Sequence, residues 1–224
     1  MNEKIQVLGI EIHNYSAKNA VKQVVEYMST DALNVIEMVT MDTLAKYQED
    51  EEAAGIFQSF DMALVGDKGI LQAAGIRDER HLKEVEELLA VKMTMRYFHK
   101  NRIRAFLLSE NVAESEKIQR YLEEDYPNVQ VIETTTMEEQ EGSDDKLLNL
   151  VNGAEVDCVI STMSSPTEEQ FIYRNKTLVH AKVWLGIGNL LDEMRKRKTV
   201  FQKIKEFVLR QILKREMAKK GENA

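Results

Sequence analysis

The chain alternates short runs of apolar, often β-branched residues with longer stretches in which apolar residues recur every three or four positions. The short runs are typical of buried strands, and the longer stretches are typical of amphipathic helices. This alternation predicts an α/β fold with a Rossmann-like, mostly parallel sheet that is covered by helices. The predicted strands are Ile5–Ile10, Asn34–Val39, Met62–Val65, Ile103–Leu108, Val129–Glu133, Val156–Ile160 and Lys182–Ile187.

The helical stretches begin with recognisable start signals. Ser16 is placed to cap a helix that carries Ala20 and Val24 on its apolar side, and Pro166 suits the first turn of another helix. The other predicted helices are Asp42–Ser59, Lys68–Ala74, Asp78–His99, Val112–Glu124, Asp144–Val151, Pro166–Asn175 and Thr199–Lys219.

Charge is distributed unevenly along the chain. Residues 195–224 contain 11 Lys or Arg and 3 Glu, a net charge of +8, whereas the whole chain carries −8. We therefore predict an α/β domain at 1–194 and a basic amphipathic helical appendage at 195–224. The appendage either binds an anion, such as a phosphorylated ligand or an anionic membrane surface, or docks on the acidic domain.

Composition excludes several classes of protein. The overall acidity argues against a general nucleic-acid binder, which needs a cationic surface. Cys158 is the one cysteine, so no internal disulfide can form, and the four histidines share no metal-ligand spacing. Cys158 and Trp184 are both predicted to be core residues. Neither a P-loop nor a complete dinucleotide fingerprint is present. With no secretory signal and no long apolar run, we expect a cytoplasmic protein.

Polar residues follow several predicted strands, where parallel sheets bind their ligands. Thr40 and Asp42 follow the strand Asn34–Val39, and Asp67 follows Met62–Val65 between two glycines. A carboxylate in such a place could act as a general base. Alternatively, Asp67 could cap the helix that starts at Lys68, and Thr40 or Asp42 the other helix; the spacing alone favours these caps. The segment after the predicted strand Val156–Ile160 contains Ser164, Glu168 and Glu169. It also has two interpretations: a site that binds an anion or a hydroxyl group, or an ordinary helix cap.

The order of these segments is similar to that of the WecG/TagA/CpsF family of bacterial glycosyltransferases, over about residues 5–215. Each matching segment is short, but all occur in the family's order. They are Val7–Ile12, Val39–Asp42, Asp61–Gly69, Ala105–Leu108, Tyr126–Val129, Pro166–Glu169, Leu185–Asp192 and Glu206–Arg210.

The resemblance implies inverting transfer of an N-acetylhexosamine-type sugar from a UDP-sugar to a polyprenyl-diphosphate-linked acceptor, for cell-surface polysaccharides, without metal or other cofactor. It implies that Asp67 is the catalytic base and that Thr40 assists it. The residues expected to bind substrate are Asp42, Ser164, Glu168, Glu169, Gly188, Asp192, Arg210 and Arg215. The appendage would hold the protein at the inner face of the cell membrane, and the partner would be a second copy or another glycosyltransferase.

A second hypothesis remains open. The sequence has Lys68 where the family tends to have glycine, and Thr167 and Glu168 where it has lysine and glutamine. These differences are compatible with a non-catalytic homologue that binds or scaffolds an active glycosyltransferase.

Overall fold

The computed structural model of the protein describes residues 4–47 and 52–194. Its centre is an 8-stranded sheet in the order β1-β2-β4-β3-β8-β7-β5-β6. The first pair is antiparallel, and the other neighbours are parallel. The strands are β1 Lys4–Val7, β2 Ile10–His13, β3 Asn34–Val39, β4 Met62–Val65, β5 Arg104–Ser109, β6 Gln130–Thr136, β7 Cys158–Thr162 and β8 Val183–Gly186. The predicted α/β, mostly parallel architecture is confirmed.

The central strands β3, β4, β7 and β8 are buried along almost their whole length, which requires cover on both faces of the sheet. That cover comes from helices. They are α1 Ala17–Tyr27, α2 Met41–Lys46, α3 Ala53–Gln58, α4 Lys68–Ala73, α5 Glu79–Glu86, α6 Leu89–Asn101, α7 Val112–Asp125, α8 Asp144–Gly153 and α9 Thr167–Asn175, followed by a 3₁₀ turn at Lys176–Leu178. Trp184 and Cys158 are fully buried, as the sequence predicts.

The first predicted strand, Ile5–Ile10, is wrong as a single element. It is a hairpin in which β1 pairs with β2 through the register Val7↔Ile10. Leu8 and Gly9 make the turn, and both have positive φ angles, 51° and 79°. A glycine adopts this conformation without steric cost, so Gly9 marks the place where the apolar run must reverse.

Two predicted long helices are also divided. In place of Asp42–Ser59, α2 ends at Lys46 and α3 begins at Ala53. In place of Asp78–His99, α5 and α6 are separated at Leu88, which is buried and has a φ of 52°. A residue in the left-handed conformation cannot continue a right-handed helix, so the pattern of helical hydrogen bonds ends there.

The chain divides into two compact units, Met1–Leu190 and Leu191–Ala224. The basic appendage at 195–224, including the predicted helix Thr199–Lys219, lies outside the described residues. Within the described part of the chain, no helix is both long enough and apolar enough to cross a membrane.

Candidate functional site

The two proposed catalytic residues lie at the carboxyl ends of neighbouring parallel strands. The register pairs Val39 at the end of β3 with Val65 at the end of β4. The Gly66 N–H donates to the Val39 carbonyl at 2.7 Å. A Cβ on Gly66 would lie 3.3 Å from Thr40 Cγ2, so the absence of a side chain lets the two turns pack together.

Both residues cap a helix. Thr40 Oγ1 accepts from the Thr43 N–H at 3.1 Å at the start of α2, and Asp67 Oδ1 accepts from the Gly69 N–H at 2.7 Å at the start of α4. The capping interpretation of the sequence is therefore correct. It does not exclude a catalytic role, because Asp67 is only half-buried and its other carboxylate oxygen does not take part in that capping bond.

A small cavity of about 40 Å³ opens at the carboxyl ends of β3, β7 and β8. It brings together most of the described residues that the sequence proposes for substrate binding, with Thr40 beside them. Those that line it are Thr40, Asp42, Ser164, Glu168, Glu169 and Gly188. Asp67 is not among its lining residues, so a single substrate site that joins Asp67 to this cavity stays a prediction.

Three of the proposed binding residues are not in this part of the structure. Asp192 belongs to the second unit, and Arg210 and Arg215 lie outside the described residues. Their predicted contact with a donor diphosphate stays a prediction.

Hydrogen bonds fix the mouth of the cavity. Lys46 on α2 forms an ion pair with Asp42 at 2.9 Å and donates to the Ser165 carbonyl at 3.0 Å. The Ser164 hydroxyl donates to Glu110 at 2.8 Å. These bonds tie the start of α9 to α2 and to the end of β5, and they place one cation at an otherwise acidic entrance.

Sequence reasoning missed Glu37, which lies in the middle of β3. Its register partner on β8 is Gly186, and a Cβ at that glycine would collide with the Glu37 carboxyl and lie 2.8 Å from Glu168 Oε1. Because Gly186 has no side chain, the carboxyl groups of Glu37 and Glu168 can both lie against it on the same face of the sheet. A glutamate inside an otherwise apolar strand was the available signal.

Glu37, Glu168 and Glu169 form a buried carboxyl cluster, with side chains that are only 3%, 1% and 1% exposed. Burial, followed by the neighbouring Glu168 and Glu169, raises the pKa of Glu37 well above its usual range. Burial also raises the pKa of Glu168 to about 8, although a 2.7 Å hydrogen bond from Trp184 Nε1 opposes the shift. The Glu169 pKa is raised by burial too, and the Ser165 hydroxyl and Lys46 offset part of that effect.

A larger, open groove of about 670 Å³ lies at the opposite, amino ends of the strands. Its two lysines are already engaged: Lys176 pairs with Asp61 at 2.7 Å, and Lys182 pairs with Asp157 at 3.5 Å. Since parallel sheets present their ligands at the carboxyl ends, we place the candidate site at the smaller cavity.

No curated protein shows a significant match to the chain. A sequence model described as "Glycosyl transferase WecG/TagA/CpsF family" matches residues 5–199, which is most of the chain. The protein is accordingly a member of the WecG/TagA/CpsF family of glycosyl transferases.

Proposed function

We propose that the protein is an inverting glycosyltransferase of cell-surface polysaccharide synthesis. It moves an N-acetylhexosamine-type sugar from a UDP-sugar donor to a polyprenyl-diphosphate-linked acceptor. The observation that carries the proposal is the contact between the Thr40 and Asp67 turns at the carboxyl ends of β3 and β4, in a chain of this family.

The reaction needs one base and one anion-stabilising group. Asp67 accepts the proton of the acceptor hydroxyl, whose oxygen attacks the anomeric carbon from the face opposite the nucleotide. The bond from the anomeric carbon to the diphosphate oxygen breaks, and UDP leaves with the electron pair. Thr40 supports the Asp67 turn, since its methyl group packs on Gly66.

The leaving diphosphate requires cationic groups. We assign this role to Arg210 and Arg215 of the basic appendage, which would also hold the protein against the anionic inner face of the cell membrane. The donor sugar and the acceptor would then occupy the cavity side, where Asp42, Ser164, Glu168, Glu169 and Gly188 lie.

A non-catalytic homologue, which binds or scaffolds an active glycosyltransferase or a second copy of itself, is the competing function. The observation in its favour is the cavity itself, which is small and is lined by four carboxylates and one lysine. The lysine, Lys46, is already held by Asp42 and by the Ser165 carbonyl, so this lining offers a diphosphate no unengaged cationic group.

Calorimetric titration of the full-length protein with UDP and with UDP-N-acetylhexosamines distinguishes the two functions. We expect UDP and the UDP-sugar to bind. A ligand at 100 times its Kd should also raise the free energy of unfolding of the protein by about 2.7 kcal/mol, which a thermal-shift measurement detects. Asp67→Asn should bind the donor as the wild type does, because asparagine also caps helices well. Absence of donor binding to the folded protein would favour the non-catalytic function.

A further inference from the structure

Two carboxyl groups in the wall of the 40 Å³ cavity are buried without a cation beside them. They belong to Glu37 on β3 and Glu168 on α9, the buried pair, and both occupy the space that a Cβ of Gly186 on β8 would need. No ion pair between residues that the structure describes includes either carboxyl. Burial of an uncompensated carboxylate costs far more free energy than burial of a neutral carboxylic acid. The observed packing is therefore that of a protonated pair.

The immediate neighbours of Glu168 agree with a neutral carboxyl. Burial raises the pKa of Glu168 to about 8, although the Trp184 indole donates to Oε1 at 2.7 Å and the Ser161 hydroxyl also donates to the carboxyl. The nearby carboxylates of Glu169 and Glu110 add to the shift. At neutral pH the group is therefore mostly protonated.

Helix α2 brings the remaining charged and titratable groups to this side of the cavity. Lys46 is held by Asp42 at 2.9 Å and donates to the Ser165 carbonyl at 3.0 Å. The Tyr47 hydroxyl donates to the Pro166 carbonyl at 3.4 Å. The lysine thus stabilises the entrance of the cavity, and the buried pair depends on protons for its neutrality.

Glu168 connects the sheet to the start of α9. It is the second residue of that helix, and its N–H donates to the Ser164 carbonyl at 3.2 Å. Ser164 and Glu169, on either side of it in the sequence, line the cavity. A carboxyl that is fixed beside Gly186 therefore fixes the backbone that carries these two residues. A negative charge there favours an arrangement in which the carboxyl reaches water, and the turn moves with it.

We propose that Glu168 is a positioning residue of the substrate site, which works as a neutral acid that shares a proton with Glu37. In this form it holds the first turn of α9 on β8 and keeps Ser164 and Glu169 at the cavity. Loss of the proton in alkaline solution releases the turn, and sugar transfer decreases. The proposal rests on the proposed function for its reaction and deepens it by naming a regulation of the same site by pH.

The direction of the pH dependence follows from the raised pKa. Below about pH 8 the folded protein keeps the Glu168 proton, and above it the protonated fraction falls about tenfold for each pH unit. Turnover that requires the protonated form must fall in the same proportion. Glu168→Gln is neutral at every pH and has nearly the shape of the protonated acid, so it should remove this fall.

The functional test is kcat/KM for transfer from a UDP-N-acetylhexosamine by the full-length protein between about pH 6.5 and 9.5. For the wild type and the exposed control Glu116→Gln on α7, we expect a constant value up to about pH 8 and a loss of at least about tenfold by pH 9.5. Glu168→Gln should keep its value, whereas Glu168→Ala should be slow at every pH. All variants use the same substrates, so an equal fall in the wild type and Glu168→Gln would overturn the inference.

Hydrogen exchange, followed by mass spectrometry and corrected for the intrinsic effect of pH, reports on α9 without any need for activity. Peptides from the start of α9 should lose protection between pH 7 and pH 9 in the wild type and keep it in Glu168→Gln. Peptides from α7 should behave alike in both proteins. Unchanged protection of α9 in the wild type would overturn the inference, and this measurement requires no variant to fold.

The two measurements separate this inference from the proposed function. Transfer that does not change with pH in this range would leave the proposed function standing and defeat the inference alone. A Glu168-dependent loss of protection in a protein that transfers no sugar would reject the proposed function and keep Glu168 as the residue that positions α9.

Discussion

Replacing Glu168 by glutamine should change how the stability of the protein depends on pH. The Glu168 carboxyl is almost completely buried, and its pKa is raised from 4.5 to about 8, chiefly by burial and with a contribution from Glu169. Glutamine has nearly the same shape, and its carbonyl oxygen can still accept from Trp184.

The magnitude follows from proton linkage. One pKa unit corresponds to about 1.4 kcal/mol, so the shift of Glu168 is worth about 5 kcal/mol at most. Between about pH 4.5 and about pH 8 the folded protein binds more protons than the unfolded chain does. The free energy of unfolding must therefore decrease as the pH rises through this window, and the contribution of Glu168 is constant outside it. Because three carboxyls share the cluster, we expect about 2 to 4 kcal/mol of the decrease to disappear in Glu168→Gln.

Urea unfolding measured through the window tests this prediction. Trp184 is the single tryptophan of the chain and contacts the Glu168 carboxyl, so its fluorescence reports on the cluster. Glu116→Gln, an exposed position on α7, controls for the loss of one charge and should follow the wild type. If Glu168→Gln shows the same loss of stability with pH as the wild type, Glu168 is not the buried, proton-holding group described here.

Three further predictions concern the site and the appendage. Asp67→Asn should lower turnover about 10²- to 10⁴-fold with normal donor affinity. The matched control Asp78→Asn, which changes the N-cap of α5, should leave turnover unchanged. Equal turnover in both variants would mean that Asp67 is a helix cap and not the base. Gly186→Ala should cost about 1 to 3 kcal/mol in urea unfolding, and less in a Glu37→Ala background, because the new methyl group collides with the Glu37 carboxyl; an equal cost in both backgrounds would contradict this. Replacing Arg210 and Arg215 together by alanine should weaken donor and liposome binding with an unchanged circular dichroism spectrum, and wild-type affinities would exclude the predicted role.

Much of the fold could be predicted from the sequence because the central strands are continuous apolar runs. Asn34–Val39 and Met62–Val65 were predicted with the boundaries that the structure has. The hairpin was missed because Leu8 continues an apolar run while its backbone turns. The break at Leu88 was missed for a related reason, since a buried leucine fits the apolar face of an uninterrupted helix.

The site could be predicted only in part. Asp67 and Thr40 were found because each follows its strand directly in the sequence. The catalytic role and the helix-capping role could both be inferred from that position. Glu37 was missed although it interrupts an apolar strand, because its burial depends on Gly186, a residue far along the chain that becomes its neighbour through the pairing of β3 with β8. A residue whose environment is created by such a pairing gives only a weak local signal.

The most direct test of the account is a transfer assay with the full-length protein. It combines a UDP-N-acetylhexosamine with a polyprenyl-diphosphate-linked sugar in liposomes and determines the anomeric configuration of the product by NMR. We expect release of UDP and a product of inverted configuration, with turnover that depends on Asp67. The absence of any transfer by the folded protein, or a product with retained configuration, would contradict it.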